Sequence, residues 1–382
     1  MSSDSRDPAG SKHEPNTKHS DPAALDADAL NRLGQWFATK VPSSRGPLTA
    51  ELVAGGKSNL TYRVSDAAGT TWAVRRPPAG PKAPTAHNVL REHLVIAALH
   101  SHSDFPVPSP AGTCDDEAVI GAPFMVTAFV DGLVLRNKRI AAALSEPIRQ
   151  TAANDLIDVL AQLHQLTPER IGLQDLAPST GYLERQLDRW RTQYDRSRQR
   201  QIADLECMHA WLGENIPPHV QPCLVHGDYR LDNAIFDEHG RVAAVLDWEM
   251  ATLGDPLADL ALMIVYWAGP GPEAVGPTSL HGFPDRDAVI ARYTSATDVD
   301  LTHLRWYLAF SYWKLACAAE GIYARYAAGG GGGDRSVNLD QIAQLAPTFV
   351  ARSIAASRRS PISTAHEEIP TKAKEQSCVK WS

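Results

Sequence analysis

LVHGDYRLDNAIF, residues 224–236, sets a histidine, two aspartates and an asparagine within eight positions, between apolar flanks at Leu224 and Val225 and at Ala234, Ile235 and Phe236. Charged side chains are seldom fully buried unless paired, so the polar centre reads as a short loop held between two strand-like segments. Loops held on rigid elements are where functional groups concentrate. Asp228 precedes Asn233 by five positions, a spacing that can offer a carboxylate to an attacking hydroxyl and a neutral amide oxygen to a hard cation shared with phosphates. Fourteen residues beyond Asn233, the apolar run VAAVL ends at Asp247, and DEHGR between them reads as a hairpin turn that returns Asp247 to the side of Asn233. One anionic and one neutral oxygen ligand at the ends of paired strands, with a base close by, compose a site for a metal-bound phosphate. Two other readings stay open for the loop: a hydrolytic metal centre with His226 and Asp228 as ligands, which lacks a second His/Asp pair, and a turn of purely structural value.

Composition bounds the rest. The chain has 382 residues, 43% hydrophobic and 21% charged, enough for two packed lobes with separate cores. A net charge of −7, with no long basic face, argues against nucleic acid as a partner. The five cysteines (Cys114, Cys207, Cys223, Cys317 and Cys378) are scattered and odd in number, which suggests neither a disulfide framework nor a zinc site and fits a reducing cytoplasm. Residues 1–22 have the composition of a disordered tail without a secretory apolar core, and 357–382 read as a second loose tail. The most apolar run, LADLALMIVYWAG at 257–269, is too short to span a bilayer and carries Asp259, so no membrane role is expected. It reads as a buried helix, with Asp259 and His226 supporting the 226–233 loop through hydrogen bonds, because a buried carboxylate needs donors.

Residues 23–130 alternate as strands in LTAELVA, LTYRVSD, TWAVRRP and APFMVTAFV, interrupted by one helix at 83–102 with Thr85 as N-cap. Residues 131–356 carry helical periodicity over 141–166, 181–213, 256–268, 285–297, 303–327 and 337–357, with a flexible glycine connector at 329–333. GGKS at 55–58 is not a Walker A loop: position 51 is Glu51, and β-formers follow it. It is a tight turn between strands, either free of ligand or covering a phosphate through Gly55, Gly56, Ser58 and Asn59. In WAVRR, Arg75 stands where a phosphate-pairing lysine would, with Glu92 as its expected partner and Arg76 on the strand's other face. The strand PFMVTAFVDG leads out of the first lobe as a hinge whose backbone at Ala128 and Val130 can read an adenine edge. His87, His93, His164 and His303 are assigned surface or core positions.

Together, GGKSNLTYRV, RRPP, HGDYRLDN and LDWEMATLGDPLADLA resemble the aminoglycoside phosphotransferase/choline kinase-like family of small-molecule kinases. More narrowly they resemble the kinase-like domain fused to some acyl-CoA dehydrogenases. The resemblance spans roughly residues 30–355. It implies an α+β, bilobal protein-kinase-like fold with a small sheet plus one helix in the N-lobe and a larger helical C-lobe. It also implies ATP and Mg²⁺ as cofactors, Asp228 as base, and Asn233 and Asp247 as metal ligands. Gly227, where kinases carry an arginine, and Arg75 depart from the wider pattern. Between His281 and Arg352 seven acidic residues are matched by seven basic ones, so no excess of carboxylates awaits a polycation. The apolar stretch 304–326 instead suggests a hydroxylated metabolite with apolar character, conceivably a hydroxyacyl thioester. A non-catalytic nucleotide-binding protein and an aminoglycoside 3'-type phosphotransferase are the alternatives.

Overall fold

The computed structural model describes residues 24–55, 59–78, 89–267, 276–329 and 338–358. Both expected tails fall almost wholly outside this set, as do Gly56, Ser58, Thr85, His87 and most of the 329–333 glycine run.

The chain opens with helix α1 (Ala27–Lys40), whose N-cap Asp26 accepts from the Ala29 N–H at 2.7 Å. The strands β1 (Thr49–Gly55), β2 (Leu60–Ser65) and β3 (Thr71–Arg76) follow, then helix α2 (Val89–His102), β4 (Pro110–Cys114) and β5 (Phe124–Ala128). All five strands form one antiparallel sheet in the order β1-β2-β3-β5-β4. Along β3, Trp72, Val74 and Arg76 are buried while Thr71, Ala73 and Arg75 turn the other way, the period-two alternation of a strand. α1 lays Leu33 and Phe37 against Trp72, Val74 and Phe124 to close the small lobe's core. The sequence reading gave this lobe one helix; α1 is a second, written in the Asp26 cap and the spacing of Leu30, Leu33 and Phe37. β4 also went unread, because PAGTC buries only Cys114 and shows no alternation.

The larger lobe begins with α3 (Lys138–Ala142) and α4 (Glu146–His164). The single helix expected over 141–166 divides here because Pro147, lacking an N–H, fits only in a first turn. The helix expected over 181–213 likewise divides into α5 (Tyr182–Ser197) and α6 (Ala203–Glu214). Between them, SRQRQ offers no apolar residue to bury, and Arg200 leaves the helix path to pair with Glu320 at 3.1 Å. Then come β6 (Cys223–Val225), β7 (Ala234–Phe236), β8 (Val242–Val245), β9 (Thr252–Gly254), α7 (Pro256–Tyr266), α8 (Arg286–Ser295), α9 (Leu304–Ala327) and α10 (Leu339–Arg358). α7 buries every residue from Leu257 to Val265, Asp259 included. Pro347 interrupts α10 and cannot bond the carbonyl four residues back; that carbonyl, of Ala343, instead accepts from Arg200 Nη2 at 2.6 Å.

The core of the larger lobe also takes in Val89, Val95, Ile96 and Leu99 of α2. That helix therefore belongs by packing to both lobes, and Arg91 fastens it further by donating to the Ala251 carbonyl at 2.6 Å. Cys114, Cys223 and Cys317 are buried free thiols. No helix among the described residues is long and apolar enough to cross a membrane.

The chain passes between lobes at Gly132, next to the paired Leu133 and Phe236 backbones, which exchange two hydrogen bonds of 2.8 Å. Gly132 has φ 154°, and a Cβ there would lie 2.5 Å from both Ile235 Cγ2 and the Phe236 carbonyl oxygen. Gly132→Ala is expected to lower unfolding stability by at least about 1 kcal/mol, read as a lower urea midpoint. A midpoint equal to that of the parent protein would show that the crossing is not held as tightly as this packing requires.

Candidate active site

The loop between β6 and β7 is shaped by groups that hold its backbone. Asp259, fully buried on α7, accepts from the His226 N–H at 2.6 Å and from the Gly227 N–H at 2.8 Å. Burial alone would raise its carboxyl, but His164 and His226, together with the His226 N–H, hold it below the ordinary aspartate range. His164 stands 3.5 Å from Asp259 and 2.7 Å from the Tyr293 hydroxyl, so this core histidine buttresses the loop, a role its sequence context did not show. The His226 ring lies 2.8 Å from the Leu246 carbonyl. Gly227 has φ 81°, and a Cβ there would meet the Met250 carbonyl oxygen at 2.8 Å. This is the physical reason that a glycine and not an arginine follows His226.

The hairpin joins the candidate site residues. β7 pairs with β8, Ala234 opposite Val245, and the Leu246 N–H donates to the Asn233 carbonyl at 2.8 Å, which sets Asp247 beside Asn233. Asn233 is 8% exposed; its side-chain amide donates to the Asp228 carbonyl at 2.9 Å and to the Asp228 carboxylate at 3.1 Å. With both amide protons so committed, the Asn233 side-chain oxygen is left as an acceptor for a cation. Asp247 has φ 67° and is the one non-glycine residue with positive φ among those described. Such backbone strain persists where the surroundings enforce it, often at functional sites. Asn233 and Asp247 thus fit a cation of the Mg²⁺ type, which takes one or two carboxylates and completes its shell with phosphate and water. Among the described residues no group of three or more His, Cys, Asp or Glu forms a metal cage.

Arg75 crosses from β3 to this site. Its Nη2 is 2.5 Å from Asp247 and its Nε 3.1 Å from Glu92 on α2, so the expected Arg75–Glu92 pair exists and extends to a third residue. The Nε contact is an ion pair that falls short of an aligned hydrogen bond. Arg76 faces the opposite way, buried, with its Nη2 2.9 Å from the Tyr62 hydroxyl. Burial pushes the Glu92 carboxyl up to about 7; Arg75 and the Trp248 N–H oppose this, while Asp247 and Glu249 add to it. Asn59, expected at a nucleotide, is buried and donates to Glu249 at 3.2 Å, joining the glycine turn's end to the larger lobe. Gly55 ends β1 opposite Leu60.

At the hinge the Ala128 N–H is spent on the Ser109 carbonyl at 2.7 Å and the Phe129 N–H on Thr71 at 3.2 Å. Of the two hinge residues read from the sequence, Ala128 therefore has no N–H to offer an adenine edge, because β4 pairs with β5 there. The Val130 N–H donates to no described residue.

Two further residues near Asp228 escaped the sequence reading. Arg230 lies 3.3 Å from both Asp228 and Asp232 and under the Tyr266 ring at 4.9 Å. Lys314, on α9, donates to the Gly227 carbonyl at 2.6 Å. A cleft beside Gly227 is lined by Tyr182, Gln186, Met250, Leu262, Phe310 and Lys314, with Asp259 at its floor.

A five-stranded sheet and a helix shared between lobes, with Asp228, Asn233 and Asp247 brought together beneath them, make up a bilobal kinase-like fold. Residues 49–291 match the phosphotransferase enzyme family (APH), and the chain belongs to that family. It is 35% identical over 332 residues to acyl-CoA dehydrogenase family member 11 of Gallus gallus, covering 84% of this chain and 42% of that protein. The human protein of the same name is 34% identical over 305 residues, covering 78% and 39%. The chain thus spans about two fifths of the length of these curated relatives. Among solved structures, a candidate aminoglycoside phosphotransferase from Ralstonia eutropha JMP134 superposes with a TM-score of 0.72 at 30% identity, covering 88% of this chain and 99% of that one. The GDP complex of aminoglycoside 2'-phosphotransferase-IIIa shares the fold, with a TM-score of 0.56 at 17% identity over 84% of this chain and 98% of that one.

The Glu92 shift has a sign that can be measured. Its folded value, about 7, lies above its unfolded value, 4.5, so between these limits the folded protein holds a proton that the unfolded chain releases. This contribution to stability is full below pH 4.5 and is lost as pH rises to 7, by up to about 3 kcal/mol. Glu92→Gln should remove that slope, so urea unfolding at pH 5, 6 and 7 should show the parent losing stability relative to the variant as pH rises. Parallel slopes would place Glu92 in a wetter, ordinary setting.

Proposed function

We propose that the protein transfers the γ-phosphate of ATP to a hydroxyl of a small acyl metabolite, with Mg²⁺ as cofactor. The observation that carries this reading is the convergence of Asp228, Asn233 and Asp247 at one loop, with Arg75 spanning Asp247 and Glu92. The Asp228 carboxylate is oriented by Asn233 and Arg230 and directly follows Gly227, which lines the cleft. There it accepts the proton of the acceptor hydroxyl as that oxygen bonds to the γ-phosphorus and the bond from phosphorus to the ADP oxygen breaks. Asn233 and Asp247 would hold Mg²⁺, which when bound spreads the phosphate charge. Arg75 fixes the Asp247 carboxylate and offers a planar guanidinium to phosphate oxygens, a geometry that lysine lacks. Gly55, Gly56 and Ser58 would cover the phosphates, and the Val130 N–H would meet the base.

The cleft supports an acyl acceptor over an aminoglycoside. Tyr182, Met250, Leu262 and Phe310 give it an apolar wall, and its one carboxylate, Asp259, is already committed to the loop backbone. A polycation would find no free carboxylate there. The likeness to proteins named for acyl-CoA dehydrogenation supports the same choice.

Asp228→Asn is expected to reduce kcat about 10²- to 10⁴-fold while Mg·ATP binding, followed by calorimetry, stays within about twofold, because the base acts on the acceptor. ADP release assayed with hydroxyacyl-CoAs, aminoglycosides and no acceptor identifies the substrate class. Parent-level turnover by the variant would remove Asp228 from the reaction, and efficient kanamycin turnover with no response to hydroxyacyl-CoAs would reverse the choice of acceptor.

A further inference from the structure

α9 is an apolar helix that packs against α7, α5, α6 and α10, and between Tyr307 and Tyr323 its charged residues are Lys314 and Glu320. Glu320 is fully buried and paired with Arg200. Lys314 has no such partner among the described residues. Its ammonium makes one hydrogen bond, to the Gly227 carbonyl at 2.6 Å, and sits 5.2 Å from the Trp190 ring centre. An ammonium carries three donors, so two remain for another group. A partly buried lysine with no carboxylate in contact is costly, since Lys is almost never taken from water unless paired. Burial accordingly pushes Lys314 below the usual lysine range; Asp228 and Asp259 oppose this, while Arg189 and Arg230 add to it.

The position is informative. Lys314 lines the cleft that opens beside Gly227, one residue from Asp228, together with Gln186 and the apolar wall of Tyr182 and Phe310. Support of the loop does not require a cation here, because Asp259 already fixes the His226 and Gly227 N–H groups. We propose that Lys314 is the acceptor-recognition residue: its free donors bind the acyl oxygen of a hydroxy-acyl compound and so present that compound's hydroxyl to Asp228. The acyl oxygen can be a thioester carbonyl or a carboxylate, and the same ammonium repels a polycationic acceptor. The inference rests on the phosphotransfer reading but has its own readout.

The test uses the full-length protein with Mg·ADP present and three probes: 3-hydroxybutyryl-CoA, 3-hydroxybutyrate and butane-1,3-diol, which lacks an acyl oxygen. Calorimetric binding is measured in that state, and ADP release with Mg·ATP in place of Mg·ADP, for the parent, Lys314→Met and Lys314→Arg. Lys314→Met should weaken binding and raise KM for at least one acyl probe about 10- to 100-fold, collapsing its selectivity over the diol, while Mg·ATP affinity holds within about twofold. Lys314→Arg should restore most of the acyl affinity. Preference for the thioester over the free acid identifies the carbonyl as the group bound, and the reverse identifies the carboxylate. Equal losses for the diol and the acyl probes, loss of nucleotide binding, or failure of the parent to bind either acyl probe overturns the proposal and leaves Lys314 as loop support. Acyl binding that depends on Lys314 without any ADP release would instead overturn the phosphotransfer reading and leave this inference standing.

Discussion

One fully buried carboxylate holds the candidate active site in place. Asp259 sits on the most apolar helix of the protein and spends both oxygens on the N–H groups of His226 and Gly227. A charge in such a place is tolerated only when its hydrogen bonds are complete, so α7 and the loop are bound to each other's geometry. From that fixed point the loop turns at Gly227, whose left-handed backbone no larger residue could adopt beneath the Met250 carbonyl. Asp228 follows, and Asn233 meets the hairpin that carries Asp247. Loss of the Asp259 carboxylate would strand two buried N–H groups, at a cost of about 1–3 kcal/mol each.

A second constraint runs between lobes. Arg75 reaches from the sheet to Glu92 and Asp247 at once, and Asn59 reaches Glu249 from the end of the glycine turn. Arginine suits this task because a planar guanidinium can engage two carboxylates through different nitrogens, whereas an ammonium acts as a point charge. Glu92 can play its part only because α2 belongs by packing to the larger core as well as to the sheet. The ion pairs therefore join parts already brought together by apolar burial; they set orientation more than they supply stability.

Much of this was legible before the structure. HGDYRLDN, the hairpin to Asp247, the support role of Asp259 and the alternation placing Arg75 and Arg76 on opposite faces all depend on local spacing, and local spacing is what a sequence displays. What stayed hidden depends on partners distant in the chain. β4 has too little alternation to be seen without β5 beside it, and that unseen pairing is what removes the Ala128 N–H from the hinge. The contact of Asn59 with Glu249 could not be read from the sequence, because the two lie 190 residues apart. The helix breaks near residues 145 and 200 were visible in principle, through Pro147 and the apolar gap in SRQRQ. They were outweighed by the periodicity on either side.

α9 shows how a helix can serve core and cleft together. Its buried face carries Trp306, Tyr307, Trp313 and Cys317, and such density of large side chains explains why the whole stretch 304–326 reads as core. Phe310, Ser311 and Lys314, at positions i, i+1 and i+4, form a narrower stripe that turns to the cleft beside Gly227. A lysine in that stripe has a desolvation cost that Asp228 and Asp259 only partly offset, whereas elsewhere on the same helix Glu320 is matched in direct contact by Arg200. The contrast between a paired and an unpaired charge on one apolar helix separates a structural charge from one whose partner arrives with the ligand. By that criterion Lys314 is the charge on α9 whose partner, in the proposal above, is an electron-rich oxygen of the acceptor.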